Sequence, residues 1–203
     1  MQTNSRSRWT LPLGLGLAVL TVAAVALMPS VASAEEEATA HDHGAHAAGL
    51  QDELAQVRAA TARFHRVEEA IEAGYELGWV NGSGVRIITG CVSHPTAGAM
   101  GYHYINEELM SDLAVDPLEP EALVYESAPD GGLKLVAVEW IVRGPQSNPP
   151  GVPAGAPPPA VLGMDMHILV PPPGPAFYLM HAWIWKHNPA GMFADWNPKV
   201  TCP

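Results

Sequence analysis

The chain has 203 residues, 48% of them hydrophobic and 15% charged, and a formal net charge of −11. This composition is globular; it is neither disordered nor a multi-span membrane protein. An acidic chain repels phosphate backbones, so nucleic acid is excluded as a partner. Twenty prolines and nineteen glycines assign a large share of the chain to loops.

Residues 1–34 carry an export signal. Arg6 and Arg8 form a basic start, Leu11–Met28 is almost wholly apolar, and Val31-Ala32-Ser33-Ala34 ends in the small-x-small pattern read by signal peptidase. The apolar run is long enough to serve instead as an uncleaved anchor. The Ala-Ser-Ala end and the acidic Glu35-Glu36-Glu37 after it favour cleavage, with no stable membrane insertion afterwards. The alanine-rich signal is of bacterial Sec type, which places the mature protein in the periplasm or cell envelope, or outside the cell. Cleavage removes two of the ten basic residues and none of the 21 acidic ones, so the mature charge is −13.

Residues 35–49 (EEEATAHDHGAHAAG) are polar and small, without periodicity, and are expected to form a disordered leader. His41, His43 and His46, with Asp42 among them, are capable of collecting a metal loosely; neutral linker composition is the other reading.

The expected domain is residues 50–203. Leu50, Leu54, Val57, Thr61, Phe64, Val67, Ile71 and Tyr75 recur at spacings of three and four, which predicts one long amphipathic helix ending near Gly74 or Gly78. Strand signals follow at residues 85–89, 101–106, 122–127, 133–142, 162–170 and 176–186. The pair 122–127 and 133–142 is joined by Ala-Pro-Asp-Gly-Gly, a hairpin signal. Residues 144–160 are a Pro/Gly loop, and 187–203 an irregular tail. The expected fold is α+β: one long N-terminal helix on an antiparallel sheet of about five to six strands, with the tail closed by a disulfide. Cys91 and Cys202 are the only cysteines, and export favours pairing them. The closed loop of about 110 residues is worth roughly 4–5 kcal/mol in the chain-entropy model.

Glu139 lies in Leu133–Val142, which is apolar on both faces apart from Lys134. Strand alternation places it with Leu133, Leu135, Ala137 and Ile141. A carboxylate there is buried or lines a cavity, and needs a partner, a metal or a proton. His181 makes the same argument within Phe177–Trp185, sharing a face with Phe177, Leu179, Trp183 and Trp185; His103 lies in Tyr102-His103-Tyr104-Ile105. Two imidazoles and one carboxylate form a ligand set for a divalent transition metal: Zn, Cu, Fe or Mn. His94 and His167 are further ligand candidates, with Asp165 placed to orient His167. The bland reading is a Glu–His pair that satisfies itself in the core.

These residues support two functions. One is an exported metal-binding protein with a His103/Glu139/His181 site in a sheet concavity, with metalloenzyme activity left open. The other is a metal-free domain that binds a small molecule in an aromatic pocket including Tyr102, Tyr104 and Trp183, with the His and Glu residues structural. No G-x-S-x-G, Walker, dinucleotide or C-x-x-C motif occurs.

Overall fold

The computed structural model describes residues 32–170 and 174–203, with side chains from Ala47 onward. The proposed signal thus lies outside the described residues up to Val31. The chain divides into two compact units, Met1–Ala40 and His41–Pro203. Of the first, Ala32–Ala40 is described, as helix.

Helix α1 spans Ala32–Thr61. Its backbone is helical through the segment expected as a disordered leader. Alanine-rich sequence favours helix. Packing nevertheless begins where the apolar spacing begins. Ala47, Ala48 and Gly49 are exposed, whereas Leu54, Val57 and Thr61 are fully buried.

The helix is not continuous to Tyr75. A 3-10 turn, Ala62–His65, is followed by Arg66 in extended geometry and by α2, Val67–Glu72. The break frees the carbonyl of Phe64, which accepts the Tyr125 hydroxyl at 2.7 Å. It also rotates the second segment, so that Ala70 is buried while Ile71 is 51% exposed. Tyr75 belongs to a strand, where its ring meets Phe64 edge-on at 5.2 Å.

Among the described residues eleven strands follow: β1 Tyr75–Leu77, β2 Trp79–Val80, β3 Arg86–Ile87, β4 Val92–His94, β5 Gly98–Asn106, β6 Ala122–Ser127, β7 Leu133–Arg143, β8 Ala160–Val161, β9 Met164–Asp165, β10 His167–Leu169 and β11 Phe177–Ala182. The main sheet is antiparallel and has seven strands, ordered β1-β5-β6-β7-β11-β10, with β4 also on β5. The expected five to six strands fell short by β1 and β4, each too short to show a period. The expected strand at 162–170 is divided between β9 and β10, and β3 pairs with β2 outside the main sheet.

The helical face of the sheet carries the largest core: Leu54, Val57, Phe64, Tyr75, Leu123, Tyr125, Leu135, Val138, Trp140 and Val142. The other face is covered by the tail. Ala99, Val124, Val136, Ala137, Trp183 and Val200 pack together there, with Cys202 against them. Cys91 and Cys202 form the expected disulfide.

One irregularity sets which side chains face the tail. Across β6 and β7, Val124 opposes Ala137 but Tyr125 opposes Leu135, so Val136 is an extra residue. This β-bulge shifts the alternation. Leu135 therefore shares the helical face with Val138 and Trp140, not a face with Glu139 as strict alternation predicts. The bulged Val136 carbonyl accepts the Trp185 amide at 3.2 Å, fixing the exit from β11.

At the far edge, β10 leaves Ile168 and Leu169 exposed, followed by exposed Val170. Strict alternation would put Met164, Met166 and Ile168 on one face, but of the three only Met166 is buried, because the strand breaks there.

Candidate metal centre

Glu139 and His181 are directly opposed across the β7–β11 ladder. His103 comes from β5, two strands from β7, opposite Val124 on β6. All three point to the tail side. They are 4%, 0% and 5% exposed, for Glu139, His181 and His103 in that order. Their ligand atoms lie within 4.8 Å of one another. His181 Nδ1 is 3.4 Å from Glu139 Oε1, and His103 Nε2 is 3.5 Å from Glu139 Oε2. The two imidazole rings meet edge-on with centroids 5.8 Å apart.

These separations are long for charge-assisted hydrogen bonds, which run to about 2.9 Å. His103 Nδ1 and both nitrogens of His181 have no hydrogen-bond partner although buried. Orphaned buried polar atoms are costly. A tetrahedral ion held at about 2.1 Å separates its ligands by about 3.4 Å; the two His–Glu contacts have that length, each to a different Glu139 oxygen, and the three residues together converge to within 4.8 Å.

The electrostatics suit a cation. Burial, aided by the neighbouring His181, pushes His103 down to about 3, so its imidazole is neutral with a free lone pair. Burial pushes the Glu139 carboxyl up, partly offset by His181. For His181, burial acts downward, but Glu139 and Asp195 outweigh it and the net shift is up. Without an ion, His181 thus favours the proton that a bound cation would displace, while His103 stays neutral.

A residue missed in the sequence completes the picture. Asp195, in the tail, places Oδ1 3.5 Å from His181 Nδ1 and 3.2 Å from His167 Nε2. Burial pushes its carboxyl up, but His181 and His167 together hold it below its ordinary value. The partner expected for His167, Asp165, is instead in β9 against Ala160. Asp195 gave no periodic signal because the tail has none; the packed aromatics Phe193 and Trp196 on either side were the available clue.

His94 stays outside the cluster. Its Nδ1 accepts the Thr96 and Ala97 amides at 3.2 and 3.1 Å, and its ring lies 5.2 Å from Trp196. It caps a loop. Tyr102 and Tyr104 pack with the helical-face core, whereas Trp183 lies on the tail side, near-parallel to His181 at 6.3 Å. The three aromatics do not line one pocket. Trp185 also leaves the face of His181 and meets His65 edge-on at 4.3 Å. The backbone of His41, His43 and His46 lies in α1; their side chains lie outside the described residues.

No protein-family model matches the chain, and comparison with curated proteins and with solved structures yields no match. Among the described residues no helix is long and apolar enough to cross a membrane.

Proposed function

We propose that this is an exported protein that holds a divalent transition metal through His103, Glu139 and His181. The observation that carries this reading is the convergence of two imidazoles and a carboxylate to within 4.8 Å, all buried and with three of the four ring nitrogens unpartnered. Two nitrogens and a carboxylate oxygen suit Zn, Fe, Mn or Cu. The disulfide supports an oxidising compartment and, with the signal-like N-terminal sequence, export to the periplasm or beyond. Full burial of the ligands favours an ion that is held over one open to bulk solvent. The alternative of an aromatic small-molecule pocket loses support because Tyr102 and Tyr104 stand on the opposite face from Trp183.

The test is elemental analysis of untagged, signal-cleaved protein. One metal per chain, lost in His181→Ala, is the expected result. Metal-free protein whose melting temperature ignores added Zn, Mn, Fe or Cu overturns the proposal.

A further inference from the structure

We infer that the tail contributes a fourth ligand, Asp195, so that the metal centre is complete only when the tail is docked on the sheet. This rests on the metal-binding reading above and extends its ligand set.

The Asp195 side chain is 29% exposed, yet its Oδ1 is buried and has no well-formed hydrogen bond. Two imidazole nitrogens flank it, His167 Nε2 at 3.2 Å and His181 Nδ1 at 3.5 Å, without closing a well-aligned hydrogen bond. The 3.5 Å to His181 Nδ1 matches the 3.4 Å between the same nitrogen and Glu139 Oε1. His181 Nδ1 therefore stands between two carboxylate oxygens at nearly equal range. Each distance has the length of one edge of a tetrahedron about an ion at about 2.1 Å; the group that already converges is His103, Glu139 and His181, so Asp195 joins it by closing on the ion from the His181 side.

Charge points the same way. A divalent ion with Glu139 alone leaves a buried net charge of +1. Adding Asp195 balances the ion with two carboxylates and two neutral imidazoles, which a low-dielectric interior favours.

The chain around Asp195 is held in place independently of any ion. Trp183 donates its indole N–H to the Ala194 carbonyl and its amide to the Met192 carbonyl. Asn188 Nδ2 donates to the Trp196 carbonyl at 3.0 Å. Ala99 and Asn197 exchange backbone hydrogen bonds at 3.2 and 3.1 Å. His167 approaches Oδ1 from the solvent side at 3.2 Å and acts as a positioning residue.

Co(II) and Zn(II) titrations of the full mature chain test this. Asp195→Asn keeps shape and removes the ligand charge. Its Zn(II) affinity is expected to fall at least about 100-fold, the upper end of what loss of an outer contact costs, and the Co(II) d–d spectrum to change. His167→Ala leaves the carboxylate in place and is expected to cost about tenfold with the spectrum retained. Unchanged affinity in Asp195→Asn, or a loss with an unaltered Co(II) spectrum, overturns the ligand role while metal binding by the other three stands. Wild type that binds neither ion fails at the earlier step, and the ligand assignment falls with it. If Asp195→Asn does not fold, Asp195→Glu gives a second reading. A displaced carboxylate shifts the Co(II) spectrum with binding retained, and a spectrum identical to wild type rejects coordination.

Discussion

His181 and Glu139 are exact neighbours across two hydrogen-bonded strands, yet Nδ1 and Oε1 stand 3.4 Å apart, and neither ring nitrogen is hydrogen-bonded. Ladder pairing brings the side chains together and leaves a gap where a hydrogen bond would close. Glu139→Gln probes that gap. It keeps the volume and polarity but removes the charge a cation requires. Metal affinity is expected to fall steeply, while the chelated protein melts at or slightly above the wild-type temperature, since a buried charge is gone. Thermal melts with and without chelator check this. A loss of about 1–3 kcal/mol in both conditions would mean a structural Glu–His bond instead.

A second prediction concerns Glu121, which is 2% exposed. Burial pushes its carboxyl up to about 8 from 4.5, although Oε2 accepts the Ile141 amide at 2.9 Å. The folded state thus keeps a proton that the unfolded chain releases above about 4.5. Its contribution is fully present below that value and is lost as pH rises through about 8. The span corresponds to about 4–5 kcal/mol at most. Urea unfolding at pH 5 and pH 8.5 should show wild type less stable at the higher pH, with a flatter profile in Glu121→Gln. Equal pH slopes would rule Glu121 out as the source.

Thiol titration of the unfolded, unreduced protein should find no free thiol, since Cys91 and Cys202 are bonded across 111 positions. Two reactive thiols would contradict the bond. Reduction should lower stability by up to about 4–5 kcal/mol through the gain in unfolded-chain freedom.

Gly98 holds the tail's landing point. Its φ is +95°, and a Cβ there would overlap the Asn197 carbonyl oxygen. Gly98→Ala should destabilise by more than the roughly 1–2 kcal/mol of left-handed strain alone, because the tail must also move. Tail displacement should appear as faster amide exchange at Asn197 and Val200. A variant with wild-type stability and protection would show that the close approach is dispensable.

Deleting residues 35–49 should weaken loose metal uptake by His41, His43 and His46 and leave the tight site and fold intact. Equilibrium dialysis with Ni(II) or Cu(II) separates the two classes. Loss of the tight class would mean that this segment supplies a ligand.

The buried cluster of His103, Glu139 and His181 was legible because each is a polar residue in an otherwise apolar strand, and burial logic needs no knowledge of strand order. The disulfide followed from counting. The bulge at Val136 was hidden because Leu135, Val136, Ala137 and Val138 are all apolar, so a shift of phase leaves no mark on the pattern. That shift moved Leu135 to the helical face but left Glu139 with Ala137 and Ile141, so the site reading survived. The broken helix was hidden for a similar reason. Phe64 and Tyr75 fit a helical period, and only the Tyr125 hydroxyl, distant in sequence, gives the break its compensation. Asp195 lay beyond reach because an irregular segment has no period from which to infer orientation.

The exposed edge at β10 has a bearing on how the protein behaves in a crowded compartment. Ile168 and Leu169 stand on the last strand of the sheet, where unpaired backbone groups invite a strand from another molecule. Val170 extends the apolar run, and three prolines follow immediately in the sequence, Pro171, Pro172 and Pro173. Proline has no amide hydrogen to donate, so a foreign strand can gain purchase on only three residues before the ladder stops. The short edge and the formal charge of −11 both work against self-association in this direction, despite the greasy rim.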